Sequence, residues 1–286
     1  MRLAVLSDIH GILPALEAAL SEIDTIGVEG IIVAGDTVAG PNSVEALRRL
    51  RERPCWMIRG NNENYLLQFA RGDAPGWWHT ARQWSLTRWN FQQMDAQSLA
   101  FLETLPEQLV LELPGTQPIR VVHGSPRNIS ELVYPDRDIS LLDLALDMVP
   151  EPVVIFAHTH ESWHMHRRGR LALNPGAVCG TFNGKRGGSY AVLEQADGAW
   201  TVTLRVLHYD LHLARRAFED SGLLREGGVL AGCWLNDLET GTNTVPRFVE
   251  YAYQKAAEAG YADSPFVPDE IWDEAASSFI NYPSQI

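Results

Sequence analysis

Gly30-Ile31-Ile32-Val33-Ala34-Gly35-Asp36 is an apolar run that stops on a small residue and a carboxylate. Its β-branched residues read as a short buried strand. The Gly-Asp ending delivers a carboxylate to the carboxyl end of that strand with little bulk before it. Four other apolar runs end in the same manner: residues 3–7 before Asp8 and His10, 56–58 before Asn61, 120–122 before His123, and 153–157 before His158 and His160. Sites in open α/β sheets lie at the carboxyl ends of the strands, where loops converge. In an extended segment, residues two apart point the same way. Asp8 with His10, and His158 with His160, are therefore each expected to present two ligands from one short segment, and Asp36 is expected to be shared between two metals.

Outward from this stretch, residues 2–7 form a first strand candidate, and Leu13, Leu16, Leu20 and Ile23 mark one face of a helix. Pro41 suits the first position of the next helix, whose apolar face is Val44, Leu47 and Leu50. Residues 55–58 make a third strand. Strand, helix, strand, helix, strand predicts a parallel or mixed sheet covered by helices, an α/β arrangement. A helical, aromatic-rich region runs from 65 to 105. Its Trp77, Trp78, Trp84, Trp89 and Phe91 either pack helices onto the sheet or, through Trp77, Trp78 and His79, wall a substrate pocket.

Strand signals resume at 108–113, 119–122, 152–156, 170–173, 189–194 and 200–207, with a helix over 139–149. The loop 184–188 reads as a solvated basic turn. Beyond 211 the pattern is helical. Val245, Phe248, Val249, Ala252 and Ala256 follow helical spacing and are closed by Gly260, and Ile271, Trp272, Ala275 and Phe279 follow Pro268. The expected organisation is a main domain over 1–210 and a helical extension over 211–286, packed on it as a cap or interface.

The 286 residues carry a net charge of −13, which argues against tight non-specific binding to a nucleic-acid duplex, where clustered Lys and Arg must displace counterions. An anionic substrate therefore needs a local cation. Cys55, Cys179 and Cys233 are too scattered for a disulfide framework or a zinc-type spacing. No signal peptide and no membrane-length run is evident, so a cytoplasmic protein without a membrane partner is the expectation. Two Asp, one Asn and four His form a mixed oxygen and nitrogen donor set, suited to Mn²⁺, Fe, Ni or Zn²⁺ rather than to Ca²⁺. With no thiolate in the set, a structural zinc site of the Cys-rich kind is excluded.

These motifs resemble the calcineurin-like metallophosphoesterase superfamily. Its series Asp-x-His, Gly-Asp, Gly-Asn-His-Asp/Glu, His-Gly and Gly-His-x-His stands in this chain as Asp8-Ile9-His10, Gly35-Asp36, Gly60-Asn61-Asn62-Glu63, His123-Gly124 and Ala157-His158-Thr159-His160, within residues 1–208. Gly40-Pro41-Asn42, His123-Gly124-Ser125-Pro126 and Asn174-Pro175-Gly176 are similar to its bacterial YfcE-like branch. The resemblance implies a four-layer αββα sandwich of two mixed sheets flanked by helices. It also implies that Asp8, His10, Asp36 and His160 bind one divalent transition metal, and that Asp36, Asn61, His123 and His158 bind the other. Such a pair, about 3.5–4 Å apart, activates a bridging hydroxide for attack on a phosphate mono- or diester.

Arg59 and Arg127 adjoin ligand positions and are candidate phosphate contacts, or ordinary surface residues. Two positions depart from the family pattern. Ala157 replaces a glycine, which an ordinary backbone tolerates. Asn62 stands where a leaving-group histidine is usual and donates no proton in the pH range of catalysis. Glu63 is thereby left as a carboxylate without its usual partner. Asn62 favours diester or nucleotide substrates, unless His79 or a water substitutes for the missing acid. The alternatives are a protein Ser/Thr phosphatase and, outside the enzymes, an inactive scaffold of the same fold.

Overall fold

The computed structural model describes residues 1–279; residues 280–286 of the expected extension lie outside the described residues. Two five-stranded sheets form the centre. The first contains β1 (Arg2–Leu6), β2 (Gly30–Val33), β3 (Cys55–Met57), β9 (Gly188–Ala196) and β10 (Ala199–Leu207), in the order β10-β9-β1-β2-β3. Strand β1 pairs parallel with β2 and antiparallel with β9. The second contains β4 (Gln108–Leu111), β5 (Ile119–Val122), β6 (Val153–Ile155), β7 (Ser162–Arg167) and β8 (Arg170–Pro175), in the order β4-β5-β6-β8-β7, parallel across β5, β6 and β8. Both sheets are mixed.

The alternation of side chains along each strand builds the layers. Leu3, Val5, Ile32, Ile119, Val121, Val153, Ile155 and Leu173 share one core between the two sheets. Ala4, Leu6, Ile31 and Val33 face the other way and pack under Leu16, Leu20 and Ile23 of α1 (Leu13–Ile26) and Leu47 and Leu50 of α2 (Ser43–Arg51). Val122, Val154 and Ala172 pack on the far side of the second sheet beneath Leu142 and Leu146 of α6 (Ile139–Asp147). Helix, sheet, sheet, helix is the αββα sandwich. Strands buried on both faces are apolar throughout, which is why the sequence shows runs and not alternation. Each fully buried Leu, Ile or Val contributes about 1.5–3 kcal/mol relative to exposure.

The structure corrects several expected boundaries. Helix α2 begins at Ser43 after Asn42, so Pro41 precedes it and does not open it. Helix α3 (Asn61–Arg71) begins four residues earlier than the expected helical region from residue 65, because the Glu63 carboxylate accepts from the Gly60 N–H at 2.7 Å and caps the first turn. Strand β7 was not expected. It lies at the edge of the second sheet, paired among the described residues only with β8, and its His164 and His166 are exposed.

Three further helices, α4 (Ser85–Gln93), α5 (Ala96–Thr104) and α7 (Leu211–Asp220), lead to the last group: α8 (Leu223–Thr240), α9 (Thr244–Glu258) and α10 (Asp269–Phe279). Phe218, Leu223, Ala231, Trp234 and Leu235 join the core that covers the first sheet. Leu230, Phe248, Ala252, Val267 and Trp272 form a separate small core among α8, α9 and α10. Helix α8 is kinked at Gly228, whose φ of 61° and ψ of −140° no helical residue adopts.

Candidate metal centre

Strands β1 and β2 run side by side and their following loops stay zipped. Asp8 N–H donates to Gly35 O at 3.1 Å, His10 N–H to Asp36 O at 3.0 Å, and Gly11 N–H to Thr37 O at 2.8 Å. This carries Asp8, His10 and Asp36 to one place. From the second sheet, His123 follows β5 and His158 and His160 follow β6. The His158 N–H donates to Asp8 Oδ2 at 3.2 Å, joining the two sheets' loops.

The expected extended presentation of Asp8 with His10 and of His158 with His160 is not what the chain does. Asp8, His10, Asp36, His158 and His160 have φ of 50, 49, 52, 68 and 59°. These are left-handed conformations, sparsely populated by residues other than glycine although Asp and His adopt them more readily than most. Each stores on the order of 1–3 kcal/mol, held only because the surroundings over-determine it. Sharp turns at the strand ends, and not strand alternation, aim these side chains inward.

Two glycines make room. Gly35 has φ +90°, and a Cβ there would lie 2.7 Å from Gly60 N and 2.8 Å from His123 Nδ1. A Cβ on Gly60 would sit 2.1 Å from Asp36 Oδ1. Ala157, by contrast, has no left-handed φ and packs in the core between the sheets, so its methyl is accommodated.

The imidazoles are oriented by the backbone. His123 Nδ1 lies 2.7 Å from Ala34 O, His10 Nδ1 3.2 Å from Val38 O, and His160 Nδ1 3.2 Å from Gly180 O. A carbonyl only accepts, so each Nδ1 carries a proton and each Nε2 is turned inward. His10 Nε2 and His160 Nε2 then face one another at 3.2 Å, and His123 Nε2 faces Asn61 Oδ1 at 3.1 Å. Asp8 Oδ1 is fully buried without a hydrogen bond, 3.4 Å from His160 Nε2 and 3.8 Å from His10 Nε2. Asp36 Oδ2 lies 3.4 Å from His123 Nε2 and 3.8 Å from His10 Nε2. Donor atoms of Asp8, His10 and Asp36, and of Asp36, His123 and His158, converge within 4.8 Å in two groups that share Asp36. A third group adds Cys179 beside His10 and His160, a neighbour that sequence spacing did not suggest.

The charges agree with this geometry. Burial opposes ionisation of Asp8 and Asp36, yet His160 and His123 outweigh it and hold both below the usual carboxylate range. Burial also opposes a charge on His123, but Asp36 pushes that imidazole up to about 9, while burial and His123 bring His158 down to about 4. The carboxylates draw positive charge to the centre, and protons and metal cations compete to supply it.

Asn62 and Glu63 hold Asp36 in place. The Asn62 backbone N–H donates to Asp36 Oδ1 at 2.9 Å and its side-chain amide to Asp36 Oδ2 at 2.6 Å. Glu63 is not left without partners. Its buried carboxylate accepts from four backbone N–H groups: Thr37 at 2.7, Val38 at 3.1, Asp36 at 3.0 and Gly60 at 2.7 Å.

The remaining sequence candidates are not among the groups that converge here. Arg127 is exposed and paired with Glu131. Arg59 faces Glu107 at 3.9 Å. His79 is exposed against the edge of Phe69, with ring centroids 5.1 Å apart. Trp77 and Trp78 pack with Tyr65, Phe69 and Trp84 in a satellite cluster, separate from the core that packs helices onto the first sheet. None of these five lines the cleft of about 260 Å³ that opens beside the centre. His10, Asn62 and His160 form its polar end. The rest of its wall includes Leu230 and Trp234 of α8 and Val245 and Pro246 of α9, which sequence spacing read only as helix faces.

Residues 1–198 match the model of the calcineurin-like phosphoesterase superfamily domain. An uncharacterized protein of Methanocaldococcus jannaschii is 25% identical over 229 residues, which cover 76% of this chain and 90% of that protein. The crystal structure of a metallophosphoesterase from Sphaerobacter thermophilus is similar with a TM-score of 0.67 at 26% identity, covering 85% of this chain and 99% of that one. A hypothetical protein from Pyrococcus horikoshii has the same coverage with a TM-score of 0.70 at 19% identity, a likeness of fold. Among the described residues no helix is long and apolar enough to cross a membrane.

Proposed function

The chain belongs to the calcineurin-like phosphoesterase superfamily, and from that premise we propose that it is a metal-dependent phosphoesterase of small-molecule or nucleotide mono- or diesters. The observation that carries the reading is the convergence of buried donor atoms: Nε2 of His10 and His160 at 3.2 Å, with Asp8 Oδ1 3.4 Å from His160 Nε2. Two carboxylates and several imidazoles gathered away from water need positive charge among them, which protons or metal cations supply, and this oxygen and nitrogen set suits transition metals.

The donors fit two divalent transition metals. Asp8, His10, Asp36 and His160 would hold one, and Asp36, Asn61, His123 and His158 the other. Manganese, iron, nickel and zinc all suit this oxygen and nitrogen set. When bound, such a pair lowers the pKa of a coordinated water and neutralises charge on phosphoryl oxygens. The protein's own groups do the positioning. Ala34, Val38 and Gly180 fix three imidazole tautomers through their carbonyls. Asn62 and Glu63 fix Asp36 and its loop. Asn62 donates to Asp36 and supplies no acid, so esters with poor alkoxide leaving groups forgo an assistance commonly worth 10²–10⁴-fold.

The narrow cleft favours a small substrate over a phosphoprotein, which needs a groove long enough for a peptide. A non-catalytic scaffold has no use for strained ligand turns. The test is Asp36→Asn: hydrolysis of both nitrophenyl phosphate and bis-nitrophenyl phosphate should fall to background. A variant that keeps wild-type rates would refute a role for this centre.

A further inference from the structure

The chemistry proposed above uses only the polar end of the cleft. The other walls come from five separate segments: Ala39 after β2, Leu86 of α4, Phe182 in the loop before β9, Leu230 and Trp234 of α8, and Val245 and Pro246 of α9. Leu230 and Trp234 are four apart and so share one helical face. Aromatic rings touch the centre directly. Phe182 stacks on His160 with centroids 4.5 Å apart and planes at 12°, and the Trp234 ring meets His10 edge-on at 5.9 Å and 78°. Among the described residues no Lys, Arg, Asp or Glu lines this cleft.

From this we infer that the cleft is the specificity pocket for an apolar, planar ester substituent on a single phosphate, one aryl or nucleobase-sized ring system. The inference rests on the phosphoesterase reading and names the substrate class of that site. Three observations narrow the choice. Its volume of about 260 Å³ lies just under the ~300–1,000 Å³ of pockets that enclose drug-sized ligands, so a polymer does not fit inside. A second phosphate, as in a nucleoside diphosphate or a bisphosphate, would be desolvated against Leu230 and Val245 with no cation to meet it. A sugar rich in hydroxyls would find few partners there beyond Asn62. A flat ring instead gains apolar contact and can stack on Phe182 or Trp234. The helices α8 and α9 thereby become part of the substrate site.

Phenylphosphonate and methylphosphonate test this, because they share one anionic head and differ only in the apolar substituent. Their Kd values are measured by calorimetry on protein loaded with Mn²⁺. Phenylphosphonate should bind on the order of 10–100-fold tighter, the worth of one buried ring. Leu230→Asn should reduce that ratio several-fold. Because Leu230 is buried in the small helical core, Val245→Ser at the start of α9, a half-buried residue that packs at the edge of that core, is measured beside it and should reduce the ratio as well. A general loss of affinity cancels in the ratio, so a merely structural effect leaves it unchanged. Equal wild-type Kd values, or a phenyl advantage kept in both variants, would overturn the inference. A protein that hydrolyses nitrophenyl esters yet binds both phosphonates equally loses the pocket and keeps the function. One that prefers phenylphosphonate but hydrolyses no ester keeps the pocket and loses the function.

Discussion

Replacing Glu63 by Gln is a change of one atom in a fully buried side chain, so no cavity is made and the packing term is negligible. What changes is hydrogen bonding. In the native chain Oε1 accepts from Thr37 and Val38, and Oε2 from Asp36 and Gly60. A glutamine has one oxygen and one NH₂, so whichever way the amide turns, two backbone N–H groups face a donor. An unsatisfied buried donor costs about 1–3 kcal/mol, giving about 2–6 kcal/mol in total against a whole-domain stability of about 5–15 kcal/mol. At about 2–4 °C per kcal/mol for domains somewhat smaller than this one, the Tm should fall by about 5–20 °C. A competing effect has the opposite sign, since burial and the Asp36 carboxylate push the Glu63 carboxyl up to about 7. A neutral carboxylic acid would resemble Gln and lose little. Four N–H donors with no acceptor among them favour the ionised form, and the large loss is therefore expected. Differential scanning fluorimetry of wild type and Glu63→Gln at pH 8 decides it. A Tm within about 2 °C of wild type would show that the carboxylate does not tie the Asp36 and Gly60 loops together.

Gly60→Ala should keep the fold but displace Asp36, whose Oδ1 would lie 2.1 Å from the new methyl. Circular dichroism near wild type with metal content reduced at least tenfold is expected, and full metal content would contradict the close approach. Nitrophenyl phosphate, whose leaving group needs no proton, should be turned over with a kcat/KM at least about 10²-fold above that of an alkyl phosphate such as glycerol phosphate. Comparable values for the two would contradict the role of Asn62 as an amide that withholds acid assistance from the leaving group.

The strands that carry the centre were legible because strands β1, β2, β5 and β6 are short, apolar and closed by a polar ligand type. The two-sheet sandwich was not readable from those runs alone and came from the family resemblance, while the strand order came from the structure. Strand β7 escaped because an exposed edge strand containing His164 and His166 shows no apolar run. The seven candidate ligands gather at the strand ends as expected from their spacing, yet the left-handed turns of Asp8, His10, Asp36, His158 and His160 were not legible, since Asp and His carry no pattern that distinguishes αL from extended backbone. The role of Glu63 was not legible for a related reason: three of its four partners are backbone N–H groups of a loop 25–27 residues earlier, and sequence spacing records side chains only. Trp77, Trp78 and His79 were attractive as a pocket wall because they cluster in sequence. Leu230, Trp234 and Val245, which do form it, are more than 190 residues from Asp36 and read as ordinary helix faces.

Everything proposed for this centre depends on its inward-facing acceptors binding cations and on Asp36 serving both positions. Plasma mass spectrometry counts those cations, on protein purified without chelator and after equilibration with Mn²⁺. Close to two transition-metal ions per chain are expected for wild type, with a marked loss of both for Asp36→Asn. A chain that takes up no Mn²⁺, Fe²⁺, Ni²⁺ or Zn²⁺, or an Asp36→Asn variant that still holds two ions, would contradict the shared carboxylate and the metal centre built on it.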